Sequence, residues 1–62
     1  MEEESLVISR TMSGQKWYLR ELTKEGAYWT IFPNRALIFK TREDAQEAFK
    51  RVYWGRIEPQ KL

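Results

Sequence analysis

Hydrophobic and polar positions alternate with a period of two over much of the first forty residues, then change period. In Lys16-Trp17-Tyr18-Leu19-Arg20-Glu21-Leu22, Trp17 and Leu19 fall on one side of an extended chain, and Tyr18, Arg20 and Leu22 on the other. Ala27 to Phe32 repeats the pattern with aromatic and β-branched residues, Trp29 and Ile31 on one face and Tyr28, Thr30 and Phe32 on the other. Thr23-Lys24-Glu25-Gly26 reads as the turn between them, with Gly26 suited to a left-handed or bulge position. Pro33-Asn34 fits the centre of a type I turn, because proline presets φ there. Ala36 to Lys40 is then expected to return as a third strand. Leu6-Val7-Ile8 is a short β-branched run, read as a further strand at the edge or periphery.

From Thr41 the period becomes 3.6. Thr41 is a good N-cap with Asp44 three residues on, as in a capping box. Glu43 and Asp44 at the start and Lys50 and Arg51 at the end suit the helix dipole. Ala45, Ala48, Phe49, Val52 and Tyr53 form one apolar stripe, and Gly55 reads as the C′ residue. The spacing predicts a helix over 42–54, with an i,i+4 pair between Glu47 and Arg51. The fold class expected is α+β: an antiparallel three-stranded β-meander, with Leu6–Ile8 as a candidate fourth, N-terminal strand, packed against one C-terminal α-helix. Trp29, Phe39, Phe49 and Val52 are expected to be buried together. Residues 55–62 contain Pro59 and read as a loosely held tail.

Composition narrows the picture. The chain has 62 residues, no cysteine and no histidine. It reads as a single domain, 1–62, able to bury only about 60% of its unfolded surface. Without disulfides or a zinc site, its nine aromatic residues must supply the core, at roughly 150–250 Å² each. The apolar runs are far too short for a membrane span and the acidic start is not a signal peptide, so a cytoplasmic protein is expected. Formal charge is +2; without Glu2, Glu3 and Glu4 the rest carries 11 basic against 6 acidic residues, or +5. Residues 1–4 read as a disordered acidic tail, or as an arm screening a basic surface. Met12-Ser13-Gly14 would suit an alternative start, which leaves open whether residues 1–11 belong to the functional unit.

Catalysis requires a tuned acid, base or nucleophile. Asp44 is the one aspartate and belongs to a helix start, and the serines at 5, 9 and 13 have no base in reach along the sequence. Glu21 with Glu25, and Glu43 with Glu47, read as solvated pairs rather than dyads. No enzyme, cofactor or metal role is therefore expected. Binding remains. If Trp17, Leu19, Trp29 and Ile31 face the helix, then Tyr18, Arg20, Tyr28 and Phe32 form an outward patch of the kind found at interaction sites. Trp54, just off the stripe beside Arg51 and Arg56, is a second anchor in a basic surround. The partner expected is a protein; single-stranded nucleic acid, stacked and neutralised on the same face, is the alternative. A third reading has Leu6–Ile8 and the C-terminal tail covering that face as a second small core. Oligomeric state is not specified by the sequence.

The stretch from Trp17 to Val52 resembles small orphan accessory proteins of bacteriophages and prophages, through its GAYWT second strand and its FKTREDAQEAF capped helix start. That resemblance implies a stoichiometric binder that blocks or redirects a host protein. TREDAQEAFKRV also resembles the helix of WGR domains, which bind nucleic acid. In that family the Trp-Gly-Arg triplet lies on a strand before the helix, whereas Trp54-Gly55-Arg56 follows it, so no residue role is carried across.

Overall fold

The structure is a computed structural model and describes residues 5–60; the acidic run at 1–4 lies outside the described residues. Strands β1 (Leu6–Met12), β2 (Gln15–Thr23) and β3 (Gly26–Thr30) follow one another as an antiparallel meander. A 3-10 turn, Pro33–Arg35, leads to helix α1 (Arg42–Val52), and the chain closes with β4 (Arg56–Pro59). The sheet order is β3-β2-β1-β4, with β4 antiparallel to β1. The α+β architecture and the meander packed against a helix are as the sequence predicts, and Leu6–Ile8 does join the sheet as an N-terminal strand, but the expected strand Ala36–Lys40 is missing and one from the C-terminal segment is present instead.

The run Leu6-Val7-Ile8 is central, not peripheral. Leu6, Val7, Ile8 and Ser9 are all almost fully buried, because β1 has a neighbour on each side and side chains covering both faces. It turns into β2 through Ser13 and Gly14, whose φ values of 52° and 78° are those of a two-residue hairpin turn with both central residues left-handed. The fourth strand comes from the opposite terminus. Arg56–Pro59, expected to be part of a loose tail, pairs Ile57 with Ile8 and Pro59 with Leu6; residues 61–62 lie outside the described residues.

Ala36–Lys40 does not form the expected third strand. β2 carries a bulge at Arg20: Leu19 pairs with Trp29 but Glu21 with Tyr28. The bulge bends β2 away from the beginning of β1, and the 36–40 segment enters the gap. There the Leu37 amide donates to the Leu19 carbonyl, and Leu6 and Phe39 exchange two backbone hydrogen bonds of 2.8 and 2.9 Å. The bulge also resets the phase of β2. Leu22, expected outward beside Tyr18 and Arg20, pairs with Ala27 and joins the core. β3 stops at Thr30, whose hydroxyl accepts the Phe32 amide at 3.1 Å, and Ile31, expected inward, is 40% exposed.

The core is built on Ile8, Leu19, Ala48 and Val52, with Leu22, Trp29, Leu37, Phe39, Phe49 and Ile57 half-buried around it. Of the four residues expected to be buried together, Val52 is buried, while Trp29, Phe39 and Phe49 pack at its margin. α1 lies mainly over β1 and β4. Its start is as expected: the Thr41 hydroxyl accepts the Asp44 amide at 3.1 Å. Its end comes two residues early, at Val52. Tyr53, expected on the apolar stripe, is 84% exposed with φ 74°, and Gly55 lies beyond the cap instead of at C′. Glu47 pairs with Lys50 rather than Arg51, whose guanidinium instead donates to the Thr23 carbonyl at 2.7 Å and ties α1 to the β2–β3 turn. No helix among the described residues is long and apolar enough to cross a membrane.

Candidate binding face and basic cleft

With α1 on one side of the sheet, the other side is open apart from its middle. Direct cross-strand partners share a face, so Ser9↔Tyr18, Tyr18↔Thr30, Glu21↔Tyr28, Val7↔Glu58 and Ser9↔Arg56 place those side chains together on the open side. At its centre, Val7, Tyr18, Pro33, Gln60 and the Lys16–Glu58 ion pair surround a hollow of about 30 Å³. That small closed cluster explains why Val7 is buried on a face with no helix, and Ser9 is buried beside it between its cross-strand neighbours Tyr18 and Arg56. Tyr18 is half-buried there, with the Lys16 ammonium 5.5 Å from its ring centre.

Toward β3 the face opens to solvent. Tyr28 is 43% exposed and Phe32 54% exposed. Each carries a cation on its ring: Arg20 at 6.0 Å from Tyr28, and Arg35 at 5.7 Å from Phe32. Arg20 is exposed because it is the bulge residue, released from the strict alternation of its strand. The six residues singled out from the sequence therefore form two groups. Tyr18, Arg20, Tyr28 and Phe32 belong to the β2–β3 side, with Tyr18 as a partly covered floor. Trp54 and Arg56 lie at the opposite edge, beside β1.

That opposite edge holds a residue that sequence reasoning missed. Arg10 projects on the helix side of β1, in phase with Leu6 and Ile8, and its guanidinium is stacked between two indoles, 3.7 Å from Trp29 and 4.0 Å from Trp54. One terminal nitrogen donates to the Val52 carbonyl at 3.3 Å, placing the cation at the negative end of α1. Its Nε is buried without an acceptor among the described residues, and burial pulls the Arg10 pKa down from its ordinary value while the guanidinium stays charged at neutral pH. A lone arginine at the inward phase of a β-branched strand was the available signal; the two tryptophans that receive it are 19 and 44 positions away.

The turn into this edge is tightly determined. Tyr53 has φ 74° and ψ −34°, and the Trp54 amide donates to the Val52 carbonyl at 2.9 Å, a γ-type turn that is strained for a residue with a side chain. Gly55, at φ 125°, then passes so close to β1 that a Cβ there would press into the Ser9 carbonyl oxygen. Trp54, Gly55 and Arg56 thereby become one wall of an open cleft, with Ser9, Arg10, Thr11 and Lys16 on the other. Among the described residues no three His, Cys, Asp or Glu side chains cluster as metal ligands would. Comparisons with protein-family models, curated proteins and solved structures find no match to this chain, so its functional reading rests on this geometry.

Proposed function

We propose that the chain is a non-catalytic protein-binding module whose contact surface is the β3 side of the open sheet face. The observation that carries this reading is the pairing of exposed rings with guanidinium groups: Tyr28 with Arg20 and Phe32 with Arg35. Aromatic and arginine side chains are the residues enriched at interface hot spots, and two solvent-facing pairs of them contribute little to folding. Ile31, also exposed, adds apolar area at the same end of the strand. The cations suit a partner surface that presents carboxylates beside an apolar patch. The phage-type resemblance of the hairpin and helix supports a specific role, stoichiometric inhibition of a host protein by a mobile-element product.

Single-stranded nucleic acid is the second reading, favoured by Lys16, Arg20 and Arg35 lying against the rings of Tyr18, Tyr28 and Phe32. It ranks second because the exposed Ile31 and Phe32 add apolar area that an apolar patch on a protein partner would cover and a phosphate backbone would not. A photo-crosslinking residue at position 28 or 32 tests the choice, with position 50 on the exposed side of α1 as control. Discrete, nuclease-resistant protein adducts from 28 and 32, lost with Arg20→Ala, are expected. Nuclease-sensitive adducts whose yield falls steeply with salt would support nucleic acid instead. Equal adducts from position 50 would overturn both readings.

A further inference from the structure

The cleft at the β1–β4 fork is a separate site. β4 pairs with β1 only from Leu6 to Ser9, whereas β1 continues to Met12. Leu6 directs its amide and carbonyl toward Phe39, on the β2 side, and Ser5 directs its carbonyl toward Gln60, on the β4 side. By this alternation the Thr11 amide and carbonyl face the β4 side, beyond the point where β4 has turned away at Gly55. The opening encloses about 420 Å³, within the range of small-ligand sites.

Its lining has one sign of charge. Lys16 and Arg56 bring cations to the lining, beside Arg10 held between Trp29 and Trp54, Thr11 adds a hydroxyl, and no carboxylate among the described residues lines the cleft. Glu58 holds Lys16 from the open-face side and neutralises part of that charge. The Arg56 side chain is exposed and makes no hydrogen bond or ion pair among the described residues. Trp54 forms the aromatic wall, 48% exposed, with Arg10 stacked on its ring. The strained Tyr53 turn and the close passage of Gly55 hold that wall in place.

Cations, a hydroxyl, a strand amide and a flat aromatic surface in one cleft match a ligand with an anionic phosphate and a planar ring. We propose that the cleft binds a nucleotide, its phosphate held by Arg56, Lys16 and the Thr11 edge and its base lying against Trp54. A free mononucleotide and one unit of a single strand share this chemistry. The site is distinct from the Tyr28–Phe32 surface and does not depend on that surface's function.

The test is titration of the isotope-labelled protein with adenosine 5′-monophosphate, inorganic phosphate, adenosine and a short single-stranded oligoadenylate, followed at backbone amides. The mononucleotide should shift Thr11, Gly55 and Arg56, phosphate should act on the same amides more weakly, and adenosine should have little effect. A tighter oligoadenylate would assign the natural source to a strand; equal affinity would assign it to the free nucleotide. Arg56→Gln, at an exposed position whose side chain has no partner among the described residues, should weaken binding about tenfold while preserving the fold, as expected for loss of one charge-assisted phosphate contact. Tyr28→Ala should leave the affinity unchanged, which separates this site from the protein-binding surface. Unmoved Thr11 and Gly55 amides at millimolar nucleotide would overturn the proposal. So would wild-type affinity in Arg56→Gln, adenosine equal to its monophosphate, or phosphate equal to the mononucleotide.

Discussion

The guanidinium of Arg10 lies 3.7 Å from the ring centre of Trp29, so a charged residue of the central strand is packed against the sheet's own aromatic side chain. Trp54 closes over the other side at 4.0 Å, and the Val52 carbonyl takes one of the donors. The arrangement fastens the end of the helix to the sheet where little aliphatic core remains. Arg10→Ala should therefore cost about 2–3 kcal/mol, combining lost cation–π contact, lost packing and a lost charged hydrogen bond. Arg10→Lys should recover less than half of this, because an ammonium cannot stack as a plane between two rings. Urea unfolding of the two variants measures both values.

Gly55→Ala should be more harmful than its size suggests. The position has φ 125°, and the added Cβ meets the Ser9 backbone rather than a movable side chain. Relief requires β4 to shift away from β1, with an expected loss of about 2–3 kcal/mol. Amide exchange should show the Val7, Ser9 and Glu58 amides, which lie between β1 and β4, opening first. A variant as stable as the parent would mean that Gly55 does not approach β1 in this way.

Leu19 is fully buried where β2, the 36–40 segment and the core meet, and its carbonyl accepts the Leu37 amide. Leu19→Ala should cost about 3–5 kcal/mol. That is most of the stability of a chain this short, at roughly 0.05–0.15 kcal/mol per residue. Thr41→Ala should cost about 1 kcal/mol by removing the acceptor of the Asp44 amide, without changing where the helix ends. Thermal unfolding followed by circular dichroism should rank the two in that order.

Much of this was legible along the chain. Thr41 with Glu43 and Asp44 announced the helix, and Thr23 to Gly26 announced the β2–β3 hairpin, because both signals are local. The strand that pairs with β2 on its other side was harder. Leu6–Ile8 and Ala36–Lys40 are both short apolar runs, and the Ser13-Gly14 dipeptide was the one local sign that the first of them enters a hairpin. β4 gave almost no signal, being four residues long with a proline at its end and Ile57 as its one aliphatic side chain. Alternation placed Tyr28 and Phe32 outward, where the structure has them, yet misplaced Leu22, since a bulge at Arg20 is invisible to a rule of strict period two. The Arg10 stack depends on long-range placement of Trp29 and Trp54, which no local pattern encodes.

On the proposed function, Tyr28 and Phe32 are exposed to meet a partner and not to hold the fold. Denaturant unfolding of the Tyr28→Ala/Phe32→Ala double variant separates the two roles. The exposed positions of both rings predict a loss of no more than about 1 kcal/mol, with an unchanged denaturant slope. A loss as large as that of Leu19→Ala would show that these rings hold the domain together, and would contradict the assignment of this face to binding.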